Sequence, residues 1–172
     1  MIKIMGAALV IACTGYAGMA RARKYALRPR ELRSLQSALQ ILETEIIYGA
    51  TPLPEAMEQV AARTERSIAF LFKQAGKELL SKTGCTVKEA WDRALEKFAA
   101  RTILEDSDLR ILRQLGNSLG MSDRQDQEKH LHLAMEQLRL EAASASEKAK
   151  THVKLWNYLG FLTGLLLVTV FY

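Results

Sequence analysis

Hydrophobic and polar positions divide the chain into three zones. Residues 4–20 and 155–172 run without a charge, and between them apolar residues recur with a helical period on a charged background. In the central zone Leu32, Leu35, Leu39, Leu42 and Ile46 are spaced three and four apart, one stripe of a helix that starts near Pro29 and ends at Gly49. Thr51, Pro52 and Pro54 open a short helix with Leu53, Ala56, Met57, Val60 and Ala61 inward. The next runs from about Arg66 to Lys82 on Ile68, Leu71, Phe72, Ala75 and Leu79, and Gly84 stops it. Thr86 with Glu89 forms a capping box, each side chain answering a free backbone donor, ahead of a helix that buries Trp91, Ala94, Leu95 and Phe98. A helix over Asp106 to Leu119 turns Leu109, Leu112 and Leu115 inward and closes at Gly120. Ser122 with Gln125 makes a second capping box, and no Gly or Pro interrupts the run from Asp123 to Gly160. That last helix is expected to continue into the apolar end, for about 50 residues or about 75 Å. Runs of alternating β-branched residues are missing. The pattern predicts an all-α protein, an antiparallel bundle of about six helices over 25–154, flanked by a transmembrane helix with a basic flank over 1–24 and a second transmembrane helix over 155–172.

The apolar ends are close to the roughly 20 residues a helix needs to cross the hydrocarbon layer. A chain in lipid must satisfy its own backbone hydrogen bonds, so each end is expected to be helical, and Gly6, Gly15, Gly18, Gly160 and Gly164 offer places of close helix approach. Trp156, Tyr158 and Tyr172 fall near the ends of the second stretch, where amphipathic rings favour the headgroup layer. Arg21, Arg23, Lys24, Arg28 and Arg30 follow the first stretch, Lys148, Lys150 and Lys154 precede the second, and Lys3 alone lies outside. By the positive-inside rule the centre faces the cytoplasm of a two-pass cell-membrane protein and both termini lie across the membrane. Arg28 precedes Pro29 and is pushed from helical angles, which predicts a break there. A cleaved signal would carry its basic residues before the apolar run; here they come after. Leu9 to Cys13 resembles a lipobox, but the residues after Cys13 stay apolar where a polar tether would be needed. Cys13 and Cys85 are the only cysteines, and no structural disulfide is expected.

Candidate chemistry is sparse. Gly76 and Lys77 are adjacent, but Glu78 stands where a phosphate loop needs Ser or Thr. His130 and His132 are two apart and point to different sides of a helix, so they read as surface or interface histidines and no metal site is expected. Glu43 with Glu45, and Glu55 with Glu58, lie among Lys and Arg opposite an apolar face and read as solvated. Ser, His and Asp occur without a strained elbow to position a triad. No catalytic residue and no cofactor are expected, and the chain reads as a binding protein, not an enzyme. The net charge is +5 and the pI about 9.3, but the densest basic clusters adjoin the apolar ends. They suit anionic lipid headgroups and do not call for nucleic acid.

One internal echo remains: Gly49, Pro52, Leu53, Glu55, Ala56 against Gly84, Thr86, Val87, Glu89, Ala90, each at a turn opening a helix. These two turns, with the long amphipathic stretch from Leu115 to Leu138, resemble the helical domain of the type II secretion inner-membrane platform. With one apolar span at each end, the whole chain looks still more like the stage III sporulation protein AB family of endospore-forming bacteria. It differs from the secretion platform in having one helical domain and two spans, where that protein has two domains and three spans. The resemblance implies a component of the channel complex between mother cell and forespore, on the mother-cell side of the forespore outer membrane. Its implied partners are a secretion-type ATPase in the same cytoplasm and other membrane proteins of the sporulation channel; a homo-oligomer is compatible with it. Partner contact is expected on three turns, at Gly49, Pro52 and Pro54, at Gly84 and Glu89, and at Gly116 and Gly120. The competing reading is that these glycines merely end helices. The competing function is a membrane-anchored helical signalling or scaffold protein unrelated to secretion.

Overall fold

The computed structural model describes Tyr16 and residues 25–81, 84–120 and 123–151, and follows the backbone of the last helix to Phe171; the side chains of residue 124 and of the stretch after 151 are outside the description. Apart from Tyr16, the side chains of both apolar ends read as membrane spans therefore lie outside the described residues. Among the described residues no helix is long and apolar enough to cross a membrane. Six helices and no strand make up the described residues. They are α1 (residues 25–43, continued by a wide π-helical turn at Thr44–Tyr48), α2 (Leu53–Arg63), α3 (Arg66–Leu80), α4 (Val87–Ala99), α5 (Asp106–Ser118) and α6 (Arg124–Phe171). The chain divides into two compact units, Arg30–Ala142 and the two flanks Met1–Pro29 with Ala143–Tyr172.

The central unit is built on the predicted stripes of the first helices, joined by a seam of α6 that the sequence reading did not name. Leu32, Leu35, Leu39 and Leu42 of α1 are fully buried, as are Met57 and Val60 of α2, Ile68, Leu71 and Phe72 of α3, and Leu131 and Leu138 of α6. Helices α2 and α3, α3 and α4, and α4 and α5 pack in sequence. Short connections make each pair antiparallel. Gly76, late in α3, lies against Met57 and Pro54 early in α2. The Arg101 guanidinium, just past α4, sits 4.5 Å from the Phe70 ring early in α3, and the Trp91 indole N–H of α4 donates to the Leu112 carbonyl of α5 at 2.8 Å. Glu78 ties α3 to α4, accepting from Lys97 at 2.7 Å and from Gln74 at 2.9 Å. The Lys97 hydrogen bond, then that of Gln74, holds its carboxyl below the ordinary range. What this carboxylate adds to stability is present at neutral pH and is lost only as pH falls through the lowered folded value.

Two expectations change, and one is met by another route. The break at Pro29 is absent: the backbone is helical from residue 25 through 43, and Arg28 and Pro29 are both buried, so packing outweighs the local cost of a proline in a helix. The first helix ends at Gly49, as the sequence predicts, but through a widened turn: Gly49 N–H donates to the Thr44 carbonyl, Gly49 stays helical at φ −76°, and the left-handed residue is Ala50 at φ 48°. The cap of α6 is Asp123, whose Oδ1 accepts from the N–H groups of Gln125 and Asp126; Ser122, expected to cap, lies outside the described residues.

Candidate partner-binding pole

The up-and-down order sends alternate connections to opposite ends of the central unit. One end carries the α2–α3 and α4–α5 connections and is latched to the start of α1. Arg30 pairs with Glu65 at 2.8 Å, and Glu31 accepts from the Thr102 hydroxyl at 2.6 Å. The other end gathers all three predicted turns. A Cβ at Gly120 would stand 2.6 Å from a methyl of Val87, so the α5–α6 turn rests on the start of α4. The α1–α2 and α5–α6 turns share a shallow cleft of about 360 Å³, lined by Ile46, Ala50, Thr51, Leu53, Gly120, Asp123 and Gln127.

Each predicted residue has a local reason for its place. Gly49 is exposed, and a Cβ there would lie 2.8 Å from the Glu45 carbonyl and 2.9 Å from Thr51 Oγ1. The widened turn therefore needs glycine for close approach. Pro52 caps α2 in an extended conformation, exposed, and Pro54 follows it half-buried in the first turn. Glu45 braces this corner, accepting from Thr51 Oγ1 at 3.0 Å and Arg63 Nη1 at 3.2 Å. Gly84 is exposed at φ 65°. The predicted box at α4 is present: Glu89 N–H donates to Thr86 Oγ1 at 3.2 Å, and Thr86 N–H donates to Glu89 Oε2 at 3.1 Å. Glu89 is thereby committed to the helix start while its side chain remains exposed. Gly120 is exposed at φ 79°. Gly116 differs from the rest. It is buried one turn inside α5, where a Cβ would lie 2.3 Å from Trp91 Cδ1, so it serves packing and offers no surface.

Two side chains at this end were not singled out from the sequence. Tyr48 is 77% exposed and Leu80 68% exposed, large apolar groups at the ends of the widened turn and of α3. A signal for both was present, since neither belongs to the buried stripe of its helix: Tyr48 follows Ile46 by two, and Leu80 follows Leu79 by one.

The turn at Gly84 supports a direct measurement. Nothing lies within 4 Å of where its side chain would point, so a substitution meets only the backbone cost of positive φ. Gly84→Leu should lower stability by about 1–2 kcal/mol, while Gly84→Asn should recover much of it because Asn tolerates that region. Equal melting temperatures for the two variants would show that the turn does not hold its left-handed geometry in solution.

Comparison with known proteins places this architecture. The profile of the family described as stage III sporulation protein AB matches residues 3–172. A relative described as stage III sporulation protein AB, from Bacillus subtilis (strain 168), is 38% identical over 168 residues, 98% of each chain. A solved structure described as stage III sporulation protein AB superposes with a TM-score of 0.68 at 37% identity, covering 72% of this chain and 97% of that one.

Proposed function

The chain belongs to the stage III sporulation protein AB family, and from that premise we propose that it is a non-catalytic membrane platform within a secretion-like channel complex of sporulation. Its apolar ends are the anchors, residues 4–20 and 155–172, and its basic flanks keep the helical unit beside an anionic cytoplasmic leaflet on the mother-cell side. The exposed pole docks a secretion-type ATPase, while the spans meet other membrane proteins of the complex.

The observation that carries this reading is the gathering of three connections at one end, with Tyr48 and Leu80 presented to solvent there. Large exposed apolar groups in a charged surround fit an intermittently covered protein surface, where aromatic and aliphatic anchors supply most of the affinity. The opposite end has its loops tied to α1 by Arg30–Glu65 and Glu31–Thr102. Capture of the ATPase by the detergent-solubilised full chain tests the reading. Tyr48→Glu together with Leu80→Glu should weaken capture at least about tenfold, roughly 1.4 kcal/mol or more, while leaving the melting temperature nearly unchanged because neither side chain is in the core. Undiminished capture by the double variant would remove the pole from the interface, and absence of capture by the wild-type chain would remove the platform reading.

A further inference from the structure

We infer that Glu43, Glu128 and His132 form a binding site for a first-row divalent transition-metal ion, between the end of α1 and the start of α6. One oxygen from each carboxylate and one ring nitrogen of the imidazole lie within 4.8 Å of one another. Glu128 and His132 are four apart on α6 and so project from one face, one turn above the other. Glu43 is supplied from the facing helix. Its carboxylate is largely buried and lies 2.9 Å from His132 Nε2, whereas the His132 side chain is 64% exposed.

The electrostatics of the three groups favour a cation. Two carboxylates brought this close repel each other, and one imidazole, even when protonated, offsets only one of them. Glu128 is half-buried, and among the described residues it has no hydrogen-bond or ion-pair partner of its own. A buried or half-buried charge without a partner is costly, and a divalent ion between the two carboxylates removes that cost for both. The donor set decides the class of ion. Imidazole nitrogen with carboxylate oxygen suits zinc and its neighbours, whereas magnesium and calcium favour all-oxygen shells. Bonds of about 2.0–2.2 Å place tetrahedral donors about 3.4 Å apart. The exposed imidazole and the half-exposed Glu128 can rotate to that spacing around the fixed Glu43. Three protein ligands leave one position for water or for a group from outside.

An ion at this place would fasten α6 to α1 one residue before the widened turn Thr44–Tyr48. It would therefore act as a cross-link between two helices distant in sequence, with no chemistry asked of it. This inference does not depend on the docking role assigned to the neighbouring turns.

The experiment uses the full chain in detergent, stripped with chelator and titrated with zinc chloride against a chromophoric competitor. Wild type should bind one ion per chain with micromolar or tighter affinity, and saturation at about a hundredfold excess over Kd should raise Tm by about 5–10 °C. Glu128→Gln and His132→Ala alter exposed or half-exposed side chains and leave the apolar seam intact, and each should weaken binding at least about tenfold. His130→Ala, on the other side of the helix, should bind as wild type does. Binding that survives both ligand variants, binding that His130→Ala weakens equally, or Tm shifts produced by calcium or magnesium but not zinc would overturn the site. So would the absence of saturable zinc binding by the wild-type chain.

Discussion

Trp91→Ala is expected to be among the most damaging single substitutions in the chain, at about 3–5 kcal/mol. The indole is 1% exposed and lies at the meeting of three helices. From α4 it packs edge-on to Phe72 of α3, with ring centroids 5.8 Å apart and planes inclined by 68°, and its N–H donates to the Leu112 carbonyl of α5. Truncation removes the largest fully buried side chain among the described residues, the ring contact and that hydrogen bond together, and the closely packed neighbours cannot collapse far enough to fill the space. For a chain of this size the loss corresponds to a Tm lower by about 6–20 °C. Thermal unfolding of the full chain in detergent, followed by near-ultraviolet dichroism of the remaining aromatic residues and by far-ultraviolet dichroism, checks it. Trp91→Phe keeps the contact with Phe72 and should lose less than half as much. A Tm for Trp91→Ala within a degree or two of wild type would mean that the three helices are held together elsewhere.

The seams of this bundle were legible because they are local. Each predicted stripe supplies buried residues, since a 3.6-residue period needs only a dozen neighbouring positions to show itself. The capping box at Thr86 and Glu89 was legible for the same reason: both partners lie within one turn. Features set by distant packing were not. The helix passes through Pro29 because burial overrides the local preference. The widened turn at Thr44–Tyr48 shifts the hydrogen-bond partner by one residue without disturbing the stripe that ends at Ile46, so the apolar pattern carries no trace of it. A consequence is that the left-handed residue appears at Ala50 and not at the glycine beside it. Asp123 and Ser122 are both good caps one residue apart, and composition does not rank them.

The candidate site was legible in outline and not in detail. Short connections between antiparallel helices already imply that the first, third and fifth turns share an end. Exposure of Tyr48 and Leu80 follows from their positions off the stripe, yet an apolar residue off the stripe is common on ordinary surfaces and becomes informative only when two of them adjoin gathered turns. The approach of Glu43 to Glu128 and His132 joins residues from opposite ends of the central zone, and periodicity within one helix cannot register it. Gly116 shows the opposite error. Read along the sequence it resembles a helix stop ahead of Gly120; in the fold it is a space reserved for a side chain from α4.

That space gives a prediction with an unusual sign. Alanine in place of glycine inside a helix ordinarily stabilises by about 1 kcal/mol, because glycine loses more backbone freedom on folding. At 116 the added methyl would lie 2.3 Å from Trp91 Cδ1 and 3.0 Å from Nε1, well inside contact distance of a ring that is itself buried and hydrogen-bonded to Leu112, one turn before Gly116 in α5. Shifting the indole would strain its bond to Leu112 and its contact with Phe72, an overpacking cost of about 1–3 kcal/mol or somewhat more that exceeds the helical gain. Gly116→Ala should therefore lower Tm, by about 2–8 °C, where Gly→Ala in an exposed helix would raise it. A double-mutant cycle separates the two terms. In a Trp91→Leu background the ring is gone, so Gly116→Ala should become neutral or stabilising, with a coupling of about 1–3 kcal/mol between the two sites. If Gly116→Ala raises Tm in the wild-type chain, or if its effect is the same with and without the indole, then α4 and α5 do not pack at the separation that makes this glycine necessary.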